Sequence, residues 1–307
     1  VLSDTPGVHH VTGTVGDAQE NVDFYTGVLG LRLVRQTVNL NDILAYHLFY
    51  GNATGEPGTV FTTFPSRDAE EGRVGPPQPE ALAFAVPEGS LDDWRDRLDD
   101  HGVDYAERER FGDETALAFA DPDGTRLELV PTTQPVEPWT EVVPEETAIR
   151  GIFGVTVRSV NPYATASVLD TLGFDLVAED DDRVRYRAAG DHAAVVDIRT
   201  DDVEGFGRDG TGTLHHVAVR VPDEDALHEW RELLADRDGL EVSRVKDRHV
   251  FHALYVREPG GILFELATEG PGLVGDQDEP YGEDVVLPGR LEEDRALVES
   301  QLPPLNP

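Results

Sequence analysis

Gly7-Val8-His9-His10-Val11-Thr12 and Gly151-Ile152-Phe153-Gly154-Val155-Thr156 align without a gap. Each opens a run of the same plan: a short strand, an amphipathic helix, then further strands. The helix-to-strand corner repeats as well, as Leu29-Gly30-Leu31-Arg32-Leu33-Val34 and Leu172-Gly173-Phe174-Asp175-Leu176-Val177. Two more segments share a second set of echoes. Val86-Pro87 with Asp93-Trp94-Arg95-Asp96-Arg97-Leu98 answers Val221-Pro222 with Glu229-Trp230-Arg231-Glu232-Leu233-Leu234. Pro122 leads to Glu128 as Pro259 leads to Glu265, six residues on in both. Self-similarity of this kind marks a repeated unit.

The four units span about 7–66, 79–131, 150–200 and 212–268. In the first, Val22, Tyr25 and Val28 return at helical spacing and predict a helix over Asp17–Leu29. Strands are expected at Leu31–Val38, Leu44–Tyr50 and Thr59–Phe64. In the second, a strand at Ala81–Val86 and a helix at Leu91–Leu98 precede strands Thr115–Ala120 and Arg126–Val130, joined by the turn Asp121-Pro122-Asp123-Gly124. Four βαβββ modules imply an α+β fold whose units pair into two curved-sheet barrels. The expected organisation is two modules over 1–131, a linker rich in Pro, Thr and Glu over 132–149, two modules over 150–268, and a tail over 269–307. The tail carries one short helix near Arg290–Leu302 and apolar anchors at Tyr281, Val285, Val286 and Leu287.

The chain has 307 residues with 39% hydrophobic content, enough for a sizeable core, and no cysteine. Thiolate ligands, disulfides and a cysteine nucleophile are thereby excluded. No run approaches the ~20 apolar residues of a membrane span. The N-terminus lacks a basic segment followed by an apolar one, so no signal peptide is read and a cytoplasmic location is expected. The formal charge is -36, with 61 acidic residues against 25 basic, spread along the whole chain. Such a surface repels nucleic acid and anionic lipid and suits a halophilic habitat, where salt screens the self-repulsion.

His-His occurs at 9–10 and 215–216, each time in a module's first strand. Side chains alternate along a strand. Val217, Val219 and Val221 share a face with His215, so His216 faces the cup; by the same register so do His10 and Thr12. In the last strand Ile262, Phe264 and Leu266 form the apolar face, which turns Glu265 to the cup. His10, His216 and Glu265 thus make a 2-His-1-carboxylate set, which on one face of octahedral Fe(II) leaves positions open for substrate and dioxygen. Gly154 stands where His10 stands, and Ala81 where His216 stands. Modules one and four therefore form the metal cup. Modules two and three form a ligand-poor, vestigial one, in which Glu128 is a counterpart of Glu265. Tyr255, between Leu254 and Val256 on the apolar side, also faces the metal cup.

The strands Gly-Val-His-His-Val-Thr and Leu-His-His-Val-Ala-Val-Arg-Val, the Asp-Pro-Asp-Gly turn and the closing Leu-Phe-Glu-Leu resemble the vicinal-oxygen-chelate superfamily, over residues 7–268. Catechol extradiol enzymes carry their ligands in modules three and four, and Gly154 departs from that pattern. The spacing of Arg248 and Tyr255 between His216 and Glu265, and the ending Leu302-Pro303-Pro304-Leu305, are instead similar to hydroquinone ring-cleaving dioxygenases. The resemblance implies Fe(II), or less often Mn(II), and O2-dependent cleavage of a small aromatic substrate. It further implies that Tyr255 and Arg248 act on substrate oxygens and that His9, Thr12 and His215 support the ligands. Alternation conflicts on one point, since it turns His9 and His215 away from the cup. His47, His101, His192 and His228 read as surface or structural. Two alternatives stay open: a glyoxalase-like lyase or isomerase, and a non-catalytic binder of a small aromatic. Whether the chain forms a homo-oligomer is also open.

Overall fold

A computed structural model describes residues 2–203 and 205–307; residue 1, the first of the expected first module pair, lies outside the described residues. The first module supplies strands β1 (Val8–Val15), β2 (Arg32–Asn39), β3 (Asp42–Gly51) and β4 (Val60–Pro65). The second supplies β5 (Gln78–Val86), β6 (Tyr105–Arg110), β7 (Glu114–Ala120) and β8 (Arg126–Pro131). The third supplies β9 (Ile152–Arg158), β10 (Asp175–Asp180), β11 (Arg183–Arg187) and β12 (Val195–Arg199). The fourth supplies β13 (Thr213–Val221), β14 (Glu241–Val242), β15 (Lys246–Asp247), β16 (Phe251–Arg257) and β17 (Leu263–Pro271).

Sheet pairing crosses the chain order. Modules one and four share a nine-stranded sheet in the order β14-β16-β17-β13-β1-β4-β3-β2, with β15 on β16. Modules two and three share an eight-stranded sheet, β10-β11-β12-β9-β5-β8-β7-β6. This is the vicinal-oxygen-chelate architecture: two curled sheets, each with an opening strand of one module antiparallel to an opening strand of another. The pairing of module one with module four brings His10 and Glu265 together from 255 residues apart.

Each module's helix covers the outside of its sheet. Helix α1 (Ala18–Val22) starts where the Asp17 side chain accepts from the backbone N–H groups of Gln19 and Glu20, and it runs on as a wider π-helical turn over Asp23–Val28. Helices α2 (Leu91–Asp100), α3 (Pro162–Thr171) and α4 (Glu224–Ala235) are the equivalents. Leu227, Trp230 and Leu234 recur on one face of α4 and are buried, as Trp94 and Leu98 are on α2. These side chains join a core that runs continuously behind both sheets.

The tail packs onto the first module. The Val286 N–H donates to the Gln36 carbonyl at 2.9 Å, Arg32 lies 4.8 Å from the Tyr281 ring centre, and Leu287, Leu291, Val298 and Leu302 are buried. The expected tail helix is divided into a 3-10 stretch at Gly289–Asp294 and α5 (Arg295–Gln301). Strand β6 was not expected. Its sequence, Tyr-Ala-Glu-Arg-Glu-Arg, has no apolar alternation because its outer face is solvated and its inner face carries arginines.

Candidate metal centre

The candidate ligand residues come from the seam where β1 and β13 run antiparallel, with Thr12 opposite His216 and Ala218 opposite His10. Strand β17 runs parallel to β13 and sets Glu265 beside Ala218. The Nε2 atoms of His216 and His10 lie 2.7 and 3.5 Å from Glu265 Oε2. One ligand atom from each of the three residues falls within 4.8 Å of the others, and all three residues are buried.

This arrangement fits a cation. Burial pushes the Glu265 carboxyl up, but the imidazoles of His10 and His216 outweigh it and hold the group well below the usual carboxylate range. Burial is the main cause that lowers His216, and the Glu265 carboxylate beside it opposes the shift. A charged carboxylate is therefore enclosed, 1% exposed, and neither of its oxygens has a well-formed hydrogen bond. An uncompensated buried charge is costly, and a divalent ion on the three inward atoms removes that cost.

The structure corrects the expectation that His9 and His215 point away. Register slips by one residue between Val8 and His10 on β1, and between Leu214 and His216 on β13. His9 and His215 are each the extra residue of a β-bulge, which re-aims a side chain against simple alternation. The second sheet bulges at the matching places, Glu80 and Phe153. The bulges bring His9 Nδ1 to 2.9 Å from His10 Nδ1, and His215 Nδ1 to 2.8 Å from His216 Nδ1. Burial, then His10, holds His9 well below its ordinary pKa. His215 keeps an exposed edge, yet burial of the rest of its ring and the neighbouring His216 push it down to about 4. Each is thus a neutral acceptor for an Nδ1–H, which turns the Nε2 lone pairs of His10 and His216 toward the Glu265 carboxylate, where an ion would sit. Replacing His9 or His215 by Ala is expected to weaken divalent-metal affinity by about 10- to 100-fold, as lost partners of ligand imidazoles do. Metal titration checks it, and unchanged affinity in both variants would refute the tautomer-fixing role.

A second chain of hydrogen bonds leads away from His216. Its Nε2 is 3.0 Å from Thr12 Oγ1, which is 2.8 Å from Thr62 Oγ1, which is 3.0 Å from His47 Nε2. His47 lines the cup beside Phe49 and Phe64, contrary to its reading as a surface or structural residue. The period-2 pattern of β3 carried the signal, since His47 alternates with the buried Tyr46 and Leu48. His249 lines the cup too, and its Nε2 lies 2.7 Å from Asp276, which also grips the fully buried Arg35. In this way the tail reaches the rim. His192 hydrogen-bonds the Pro57 carbonyl and lies outside the cup.

Tyr255 sits opposite Glu265 on the neighbouring strand β16. Arg248 Nε donates to its hydroxyl oxygen at 3.0 Å, and Lys246 and Arg248 stand 4.8 and 5.1 Å from its ring centre. Burial, then the Glu265 charge, drives the Tyr255 phenol far above its usual pKa, so it keeps its proton. Phe49, Phe64 and Phe251 form apolar walls, and the cavity is narrow, about 40 Å3. Among the described residues, Glu265 is the one carboxylate lining it. Thr62 stands beside Thr12 as Glu265 stands beside Ala218, at the place related to Glu265 by the pseudo-twofold of the seam.

The comparisons agree with this geometry. "Putative ring-cleaving dioxygenase MhqO" of Bacillus subtilis is 43% identical over 305 residues, covering 98% of this chain and 96% of the relative. "Chlorohydroquinone/hydroquinone 1,2-dioxygenase" of Sphingobium indicum is 36% identical, covering 93% and 92%. A crystal structure of a dioxygenase from Bacillus subtilis, itself titled as putative, superposes with a TM-score of 0.95 at 42% identity, covering 99% of this chain and 98% of that one. Glyoxalase I of Zea mays shares the fold, with a TM-score of 0.65 at 16% identity, over 86% of this chain and 92% of that one. The Glyoxalase/Bleomycin resistance protein/Dioxygenase superfamily profile matches residues 7–129 and 168–266, and with these full-length relatives it establishes that the chain belongs to that superfamily.

Proposed function

We propose that this chain is a dioxygenase that cleaves the aromatic ring of a hydroquinone or related diphenol with O2, using Fe(II), or less often Mn(II), on His10, His216 and Glu265. The observation that carries the reading is the enclosed Glu265 carboxylate, without a well-formed hydrogen bond, facing two imidazole Nε2 atoms in a pocket walled by three phenylalanines. The names borne by the full-length relatives support the same chemistry. The ion supplies redox-active charge and a common place for a phenolate oxygen and dioxygen.

The chain's own residues do the rest. Two neutral imidazoles and one carboxylate leave a net +1 centre with a divalent ion, which favours an anionic substrate oxygen. Phe49, Phe64 and Phe251 hold a flat ring and exclude water, and the narrow cavity disfavours branched or polycyclic substrates. Tyr255 keeps its proton and donates a hydrogen bond through it to a substrate oxygen. Arg248 fixes the Tyr255 hydroxyl and faces the pocket with a permanent positive charge, which neutralises a developing oxyanion. Thr12 holds its hydroxyl beside His216, with Thr62 and His47 fixing its direction. The reading places the enzyme in a cytoplasm rich in salt, where its -36 charge is screened.

Protein loaded anaerobically with Fe(II) and then mixed with hydroquinone or catechol in air is expected to consume O2 and bleach the aromatic absorbance. No uptake with any diphenol would sink the proposal. Tyr255→Phe is expected to lower kcat by about 100-fold with metal content unchanged, because a positioned proton donor is lost. The lyase reading is weakened by Thr62, since a hydroxyl stands where that chemistry would place a second carboxylate base.

A further inference from the structure

The second sheet encloses a cavity of its own, about 640 Å3, which nothing in the preceding reading uses. Its metal-cup equivalents are altered in a coherent way. Gly154 and Ala81 replace the two histidines, and a Cβ at Gly154 would come within 2.5 Å of the Val195 carbonyl oxygen, so a histidine has no room there. Glu128 stands beside Ala83, as Glu265 stands beside Ala218, and Asp197 stands beside Thr156, as Thr62 stands beside Thr12. Both carboxylates are clasped by arginine: Arg110 Nη1 donates to Glu128 at 2.6 Å, and Arg185 donates twice to Asp197 at 2.8 Å. Guanidinium groups hold the place that the ion holds in the first cup.

Arg108, Arg110, Arg126, Arg158, Arg183 and Arg199 line the cavity, and all but Arg108 also reach a carboxylate, among them Glu80, Glu114, Glu128, Asp182 and Asp201. The curl of the sheet brings its ends together, where Arg185 donates to Glu114 and the Phe111 N–H donates to Asp180. Arg110 and Arg183 are more than nine-tenths buried, and Arg110 Nη2 and Arg183 Nη1 have no hydrogen-bond partner. Arg183 is held loosely, with Nε 3.4 Å from Asp182 and Nη1 3.6 Å from Asp197. Buried N–H groups seek acceptors, and a guanidinium matches a planar or tetrahedral oxyanion.

We propose that the second half-barrel is a binding site for a small oxyanion of the carboxylate or phosphate type, recognised by the free edges of Arg110 and Arg183. The cavity, about 640 Å3, is large enough for an organic diacid, and six arginines stand on its wall in a chain whose overall charge is -36.

Isothermal titration at fixed ionic strength with succinate, with inorganic phosphate and with chloride tests it, on the full chain with and without Fe(II). Saturable binding of succinate or phosphate, and not of chloride, is expected; the two arms separate an organic acid from an inorganic source. Arg183→Gln is expected to weaken it by about tenfold or more, the scale of losing one charge-assisted hydrogen-bond pair, and Arg183→Lys by less. Iron should leave the affinity unchanged, since it loads the other cup. If Arg183→Gln does not fold, wild-type crystals soaked in succinate or phosphate should show the anion against Arg110 and Arg183. No binding, binding equalled by chloride, full affinity in Arg183→Gln, or an anion seated elsewhere would overturn the proposal.

Discussion

Glu265→Gln is expected to lose divalent-metal binding and at least about 10^3 of kcat/KM toward hydroquinone, about 4 kcal/mol of transition-state stabilisation. The change is nearly isosteric but removes the single negative charge among the three inward ligands. Two imidazoles and an amide then face one another, with no negative charge to attract a cation. The same substitution is expected to cost the metal-free protein little by comparison, because the attraction of the two imidazoles for the carboxylate is opposed by the cost of burying its charge. A large loss of function beside a small loss of stability separates a metal ligand from a structural carboxylate. Iron content, O2 uptake and denaturant unfolding of the metal-free protein read out the two effects. Wild-type turnover in the variant would refute the assignment, and a large loss of metal-free stability would show that Glu265 serves the fold.

Trp94→Ala is expected to cost about 3–5 kcal/mol of unfolding free energy, the range for deleting a large core aromatic. Trp94 is 1% exposed on α2, and its Nε1–H donates to the Thr147 carbonyl at 2.9 Å. Removing it opens a void between α2 and the second sheet and strands that carbonyl. It also unties the segment joining the second and third modules from the helix beneath it. Urea unfolding followed by tryptophan fluorescence from the two remaining tryptophans checks it; a cost below about 1 kcal/mol would mean that the neighbours collapse into the space. The metal cup lies in the other sheet, so the folded variant should still load iron.

The repeats made the architecture legible, because each module writes the same helix-to-strand corner into its apolar pattern. Pairing of one with four was legible through chemistry rather than pattern: the two histidines occur in those modules and are replaced by Gly154 and Ala81 in the others, where only the glutamate has a counterpart, Glu128. The direction of His9 and His215 stayed open in the sequence because alternation assumes an unbroken ladder, and a bulge shows only in how two distant strands register. His47 was missed although it alternates with the buried Tyr46 and Leu48, because the pattern of β3 gives a face while the hydrogen bond to Thr62 that ties His47 to the site depends on how β3 pairs with β4. Strand β6 carried no apolar signal at all. Its arginines gain their meaning from a cavity formed with β11 and β12, remote in sequence and recognisable only once the sheet has closed.

Titration of oxygen-free, metal-stripped protein with Fe(II), followed by metal analysis after desalting, tests the central claim most directly. One ion bound per chain, abolished by Glu265→Gln and by His216→Ala, is the predicted result. No retained iron in the wild type, or iron retained undiminished by both variants, would contradict it.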